Sequence, residues 1–284
     1  MSKLADLHVH TYLSDGTFPP EKVVEYSKEK GLSAIAITDH DCCLGIAPAI
    51  KAAKDKDIEV IPGVELTAEL GEEEIHILGY FIDWQNSSFL KKLDEISGVR
   101  QERAKKILEK LRGEGVEISG KELLDLSGPG SVGRLHIAHL LVKKGVVSSI
   151  SRAFEKYIGN NSPCCVKKFK LSPKEAVNMI KDVGGIAVLA HPSVINVKGE
   201  SVEDVIRALV AEGIEGIEAY HSDYSDKDES KFVELAEKYN LLVTGGSDCH
   251  GLGKKEVLIG KVKIPYELVE RMKEFVANRA DRAR

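Results

Sequence analysis

The chain is poor in several things that would each point to a class of protein. Aromatic residues make up only 6% of its 284 residues, with a single tryptophan. A surface that stacks a long nucleic-acid strand base by base needs more rings than that; Tyr157, Phe169 or Tyr220 could still flank one base. The net charge is −5, from 40 basic and 45 acidic residues. No basic excess therefore marks a nucleic-acid track or an anionic membrane surface. A small nucleotide, which needs only a local basic pocket, stays open. No apolar run approaches the roughly 18 residues of a membrane span. "MSKLADLHVH" shows no hydrophobic leader after its lysine. A cytoplasmic protein is expected, with no membrane partner and no stable DNA complex. The five cysteines are Cys42, Cys43, Cys164, Cys165 and Cys249. Two adjacent pairs and an odd residue make neither a disulfide framework nor a Cys-x-x-Cys zinc knuckle, so reduced thiols are expected.

What is present reads as an α/β protein. Hydrophobic residues are 43% and charged residues 30% of the chain, ordinary values for a globular domain. Strand-like runs fall at 4–10, 33–40, 58–67, 74–82, 185–191, 216–221 and 241–248. Helical patterns fall at 19–31, 44–54, 173–183, 202–212, 227–239 and 265–278. Strands interleaved mostly with helices predict parallel strands in a barrel-like fold. The segment 88–170 interrupts this rhythm. Its charged run "FLKKLDEISGVRQERAKKILEKLRGEG" has helical period, short helices with glycine stops follow, and "CCVKKF" is the next strand-like run. The expected organisation is a barrel over 1–87 and 171–284, with a helical insertion over 88–170 forming part of a substrate pocket.

Polar residues gather where the strands are expected to end. The stretches are "DLHVHTYLSD", "ITDHD", "PGVE", "LAHP" and "GGSDCHG". In "HVH" the imidazoles stand at i and i+2, on one side of a strand, and "DCH" repeats that spacing with an acid. In a parallel α/β barrel the strand ends open onto one face. A lone strand histidine is usually an interior residue; paired motifs at several strand ends point instead to one metal site. The candidates are His8, His10, Asp15, His40, Glu65, His76, His191, Asp248 and His250. Glu69 competes with Glu65, but "PGVE" ends the strand more naturally. Cys249 should face away from its neighbours by alternation. Histidine and carboxylate without thiolate suit Zn²⁺, Mn²⁺ or Fe²⁺. Nine donors are too many for one ion, so two or three ions with a bridging carboxylate are expected. Such clusters generate hydroxide near neutral pH and clamp an in-line phosphoryl displacement. Asp41 and His221 stand as outer partners that orient ligands.

Together "DLHVHTYLSDGT", "AIAITDHD", "PGVELTAE", "IHILGYF", "VLAHP" and "GGSDCHG" resemble, in order and across essentially the whole chain, the motifs of the PHP (polymerase and histidinol phosphatase) metal-dependent phosphoesterases. The resemblance implies a distorted (β/α)₇ barrel with a trinuclear site. One ion would take His8, His10, Glu65 and Asp248. Glu65 would bridge to a second held by His76 and His191, and Asp15, His40 and His250 would take the third. Two or three divalent ions are therefore expected, Mn²⁺ first, with Zn²⁺ or Fe²⁺ as alternatives. "SVGRLHIAHLLVKKG", "RAFEKYIG" and "VKKFKLSPKEAV" resemble the branch that removes the 3′-phosphate from nucleoside 3′,5′-bisphosphates, some members of which trim short RNA from its 5′ end. That branch commonly has proline where Leu135 stands, and a bulkier residue at Cys249. The resemblance makes Arg134, His136 and Lys168 the expected contacts to a second phosphate, and His221 or a water the proton donor to the leaving oxygen. A histidinol-phosphate or sugar-phosphate phosphatase is one alternative, which the insertion disfavours. A catalytically silent metal-binding module is another, disfavoured because all nine positions carry suitable donors.

Overall fold

The computed structural model describes residues 3–71, 73–128, 130–160, 162–166, 171–253 and 256–282. Eight strands form one sheet: β1 (Leu4–Val9), β2 (Ala34–Ile37), β3 (Glu59–Leu70), β4 (Glu73–Tyr80), β5 (Ile186–Leu189), β6 (Gly216–His221), β7 (Leu242–Gly246) and β8 (Ile264–Pro265). Their order is β7-β6-β5-β4-β3-β2-β1-β8. The sheet curls until its far ends meet. Val9 bridges in parallel to Cys249, just past β7, and the His10 amide donates to the Cys249 carbonyl at 3.0 Å. The result is a nearly closed barrel. Its eighth strand, two residues antiparallel to β1, is too short to leave a periodic signal.

The strand runs 4–10 to 241–248 all form, but not all in parallel. β4 is antiparallel to both β3 and β5. Residues 71–72 alone separate β3 from β4, and a parallel crossover needs a dozen or more. A hairpin is the only connection available, and Gly71 turns it with φ +66°. The hairpin also lengthens β3 to twelve residues, so Glu65 lies within the strand rather than at its end.

The helices are, in chain order, α1 (Pro20–Glu29), α2 (Ile46–Ala53), α3 (Ser87–Gly113), α4 (Gly120–Ser127), α5 (Arg134–Lys143), α6 (Ile150–Ala153), α7 (Pro173–Asp182), α8 (Val202–Glu212), α9 (Asp226–Lys238) and α10 (Tyr266–Arg282). Local sequence sets their starts. Ser172, Ser201 and Ser225 each cap a helix and exchange hydrogen bonds with Glu175, Asp204 and Asp228 three residues on, satisfying amides that a helix start leaves unpaired. Leu, Ile and Val side chains on the sheet meet the flanking helices in one core, including Ile37, Val64, Ile77, Leu189, Val177 and Ile206. A second core joins Ala5, Leu7, Ile61 and Leu78 to Val269 and Met272 of α10.

The helical excursion has a third core of its own, from Ala104 to Cys164. α3 belongs to two cores. Its first turns place Phe89, Leu93 and Ile96 in the barrel core, while Ala104, Ile107 and Leu111 enter that of the excursion. The strand-like run "CCVKKF" is not a strand over Cys164–Val166, and Cys165 closes a turn onto Ser162. Its remainder, with the expected phosphate contact Lys168, lies outside the described residues. No helix among the described residues is long and apolar enough to cross a membrane.

Candidate metal centre

The barrel brings all nine candidate donors to one place. His8 lies in β1 and His10 just past it, with Asp15 in the loop that follows. His40 follows β2, Glu65 lies in β3, His76 in β4, His191 after β5, and Asp248 and His250 after β7. None of the nine side chains is more than 19% exposed. Positive φ at His191 (+27°) and Asp248 (+49°) swings these residues off the strand direction, a strained backbone of the kind that collects at functional sites. Gly246 permits the close approach of β7 to β1, because a Cβ there would sit 2.3 Å from the His8 amide nitrogen.

The spacing of the donor atoms tests whether metal ions fit. Ligand atoms about 2.1 Å from one ion lie roughly 3.0–3.4 Å from each other. His8 Nε2 and His10 Nε2 are 3.1 Å apart, and each stands 3.2–3.4 Å from Glu65 Oε2 and Asp248 Oδ1. The other oxygen of Glu65 faces a second group, with His76 Nδ1 at 2.8 Å and His191 Nε2 at 3.0 Å. A third group forms around Asp15, with His250 Nε2 at 3.1 Å and His40 Nε2 at 3.6 Å. Buried Asp15 Oδ1 and the Nδ1 atoms of His10, His40 and His191 have no hydrogen-bond partner. Buried polar atoms left unpaired are costly, and an ion held with His40 and His250 would satisfy Asp15 Oδ1. The residues fit.

Burial and charge act against each other throughout. Burial pushes Glu65 up, yet His40, His76 and His8 outweigh it and hold the carboxyl well below the usual range. Asp15 and Asp248 are held down in the same way by the rings around them. Burial pulls His10 and His76 down, but adjoining carboxylates overcome it and raise them to about 10 and about 9. Burial wins at His40, which falls to about 3. Without ions, the cluster therefore stores protons.

Acids with no role assigned from sequence hold the donors in place, Glu218 and Asp39 buried and Glu74 half-buried. Glu218 accepts from His8 Nδ1 at 2.9 Å and from the His191 amide at 2.8 Å, fixing the His8 ring with Nε2 toward the cluster. Its only sequence signal is one acid inside the apolar run "GIEAYH". Asp39 accepts from the Thr11 amide and hydroxyl at 2.7 Å and from Ser14 Oγ at 2.6 Å, bracing the loop before Asp15. Glu74 receives His76 Nε2 at 3.0 Å. Asp41 faces away from the cluster and takes Arg100 and the Thr67 amide.

His221 lies 4% exposed at the end of β6. Its Nδ1 accepts from the Asp223 amide at 3.2 Å, which leaves the proton on Nε2, 3.6 Å from Asp248 Oδ2. Arg134 opens α5 and donates to Glu74 Oε2 at 3.2 Å, Asn160 Oδ1 at 2.9 Å and the Ile158 carbonyl at 3.3 Å. Arg134, Gly133, Arg100 and Arg103 line one cavity beside it. Burial, and then the facing Arg134, push Arg103 down to about 10. His136 departs from the expected substrate contact. Its Nδ1 accepts from the Gly133 amide at 3.1 Å and the ring also donates to the Ser14 main chain. The ring thus faces the backbone of the loop after β1.

Known proteins are similar to this chain in sequence and fold. A family model described as the PHP domain matches residues 6–169. A 3′,5′-nucleoside bisphosphate phosphatase of Chromobacterium violaceum is 32% identical, the match covering 88% of each chain. A 5′-3′ exoribonuclease of Haemophilus influenzae is 33% identical over 88% of this chain and 91% of its own. A crystal structure from Bifidobacterium adolescentis, provisionally described as a metal-dependent phosphoesterase, superposes with a TM-score of 0.86 at 30% identity, covering 94% of both chains. With the family match spanning more than half of the chain, and the donor cluster intact at the strand ends, the protein belongs to the PHP domain family of metal-dependent phosphoesterases.

Proposed function

We propose that this protein hydrolyses the 3′-phosphate of nucleoside 3′,5′-bisphosphates, giving the 5′-monophosphate and inorganic phosphate. The observation that carries this reading is the arginine group one residue from the cluster, where Arg134 donates to Glu74 and Glu74 receives the His76 ring. A simple phosphomonoesterase needs only the cluster. Arg100 and Arg103 stand with Arg134 around one cavity; Arg134 and Arg100 already pair with Glu74 and Asp41, and a phosphate would compete with those carboxylates for planar forks that suit it bidentately.

In this reading His8, His10, Glu65 and Asp248 hold one ion, and Glu65, His76 and His191 a second. Asp15, His40 and His250 hold a third. The histidine and carboxylate donors accept Mn²⁺, Zn²⁺ or Fe²⁺, with availability deciding among them, and Mn²⁺ is the first choice. When bound, the ions supply a nucleophile at neutral pH and neutralise the phosphoryl oxygens. The chain's own residues do the rest. Arg134, with Arg100 and Arg103, anchors the 5′-phosphate, and the excursion thereby completes the substrate pocket. Glu218 keeps His8 oriented. His221 carries its proton on Nε2 and releases it to the departing 3′-oxygen. Short 5′-phosphorylated RNA is a second substrate class, favoured by the likeness to the exoribonuclease.

Arg134→Ala tests the second-phosphate pocket. A charge-assisted hydrogen bond contributes ~1.5–3 kcal/mol, so kcat/KM on adenosine 3′,5′-bisphosphate should fall roughly 10- to 100-fold, with little change on an aryl phosphate. Equal losses on both substrates would remove the pocket from the account.

A further inference from the structure

The loop that carries Asp15 is held from two sides. From the barrel, Asp39 grips the Thr11 amide and Ser14 hydroxyl. From the excursion, the Ser131 amide donates to the Leu13 carbonyl at 3.0 Å. A Cβ on the preceding Gly130 would lie 1.6 Å from that same oxygen, so backbone packs directly on backbone there. His136, 5% exposed, accepts from the Gly133 amide at 3.1 Å on the same seam and turns its ring toward the Ser14 main chain. Asp15 itself has rings facing it, and its Oδ1 has no hydrogen-bond donor. Its position is therefore set by its backbone.

We infer that His136 is a positioning residue that, with Gly130 and Ser131, fixes the Asp15 loop and so determines whether the ion of Asp15, His40 and His250 is retained. The inference rests on the reading that these three residues hold an ion. The geometry makes the effect selective. His8, Glu65, His76, His191 and Asp248 stand on barrel strands or their ends, and their partners are other barrel residues, Glu74 of β4 among them. The excursion reaches the cluster's third group through the Leu13–Ser14 backbone.

The test is the number of Mn²⁺ ions kept after equilibration and gel filtration, measured by elemental analysis, with thermal melting as the check on folding. Wild type should keep three ions. His136→Leu fills the same space without a donor and should keep two. His136→Gln, whose amide can still donate to the Ser14 carbonyl, should recover the third. Gly130→Ala drives a methyl group into the Leu13 carbonyl and should also lose one ion, which keeps the test alive if His136→Leu does not fold. A merely structural role would lower the melting temperature without removing one ion selectively. A folded His136→Leu or Gly130→Ala protein with the full complement would overturn the inference. Asp15→Asn separates the two layers. If it too keeps every ion, the third-ion reading fails and takes the inference with it; if it loses one while His136→Leu does not, the inference alone fails.

Discussion

On the barrel face, nine donors no more than 19% exposed arrive from six strands and the loops behind them, and buried acids such as Glu218 and Asp39 hold them. Across the seam, the excursion reaches the site through residues 130–131, the first turn of α5 and Arg100 of α3, and is stabilised by a separate core. In one region strand register sets most of the ligands, and Glu218 and Glu74 hold the His8 and His76 rings by a second hydrogen bond. The other is a module whose own packing does not depend on the metal. The difference teaches where chemistry and selectivity reside. The barrel supplies every proposed ion ligand, and the excursion touches it at the Asp15 loop, through Ser131 and the Leu13 carbonyl, and at the pairs Arg134–Glu74 and Arg100–Asp41.

Two perturbations should separate the regions, and the larger effect belongs to the barrel. Glu218→Gln leaves the His8 ring without its charged partner. Loss of an outer carboxylate of this kind costs about 10- to 100-fold in metal affinity. Competition with a chelator should show that drop in Glu218→Gln and none in Arg134→Ala. If both variants lose metal alike, the division between the regions is wrong.

The smaller effect is in protons. Burial pulls His10 and His76 down, but their carboxylates hold them at about 10 and about 9. Both folded values lie above the unfolded value near 6.5. Their contribution to the metal-free protein is therefore complete below about pH 6.5 and is lost as pH rises through about 9 and about 10. Ions need neutral imidazoles, so metal affinity should rise over the same interval. Mn²⁺ uptake at pH 7 should release about two protons or more, counted by calorimetry in buffers of different ionisation heat. Uptake without proton release would contradict the charge balance described for the cluster.

The metal donors were legible because β periodicity and barrel topology act on short stretches. "HVH" and "DCH" place two donors on one side of a strand wherever the strand runs. The direction of β4 was not legible from "IHILGYF", which reads the same in either sense; the two-residue gap before it decides. Glu218 was missed because its partner His8 lies 210 residues away, and a single acid in a strand carries no spacing. Arg100 and Arg103 sit in a helix of 27 residues rich in both charges. Helical period alone does not tell which of its arginines turn toward the barrel. His136 was read as a substrate contact from its closeness to Arg134, whereas one helical turn sends the two side chains to different neighbours.

The most direct measurement is phosphate release by the Mn²⁺-loaded protein on adenosine 3′,5′-bisphosphate, AMP, histidinol phosphate and a 5′-phosphorylated trinucleotide, side by side. Strong preference for the bisphosphate, with 5′-AMP as product, is the expected result. Preference for histidinol phosphate, with the bisphosphate left intact, would leave the metal centre standing and contradict the role given to the arginine cavity.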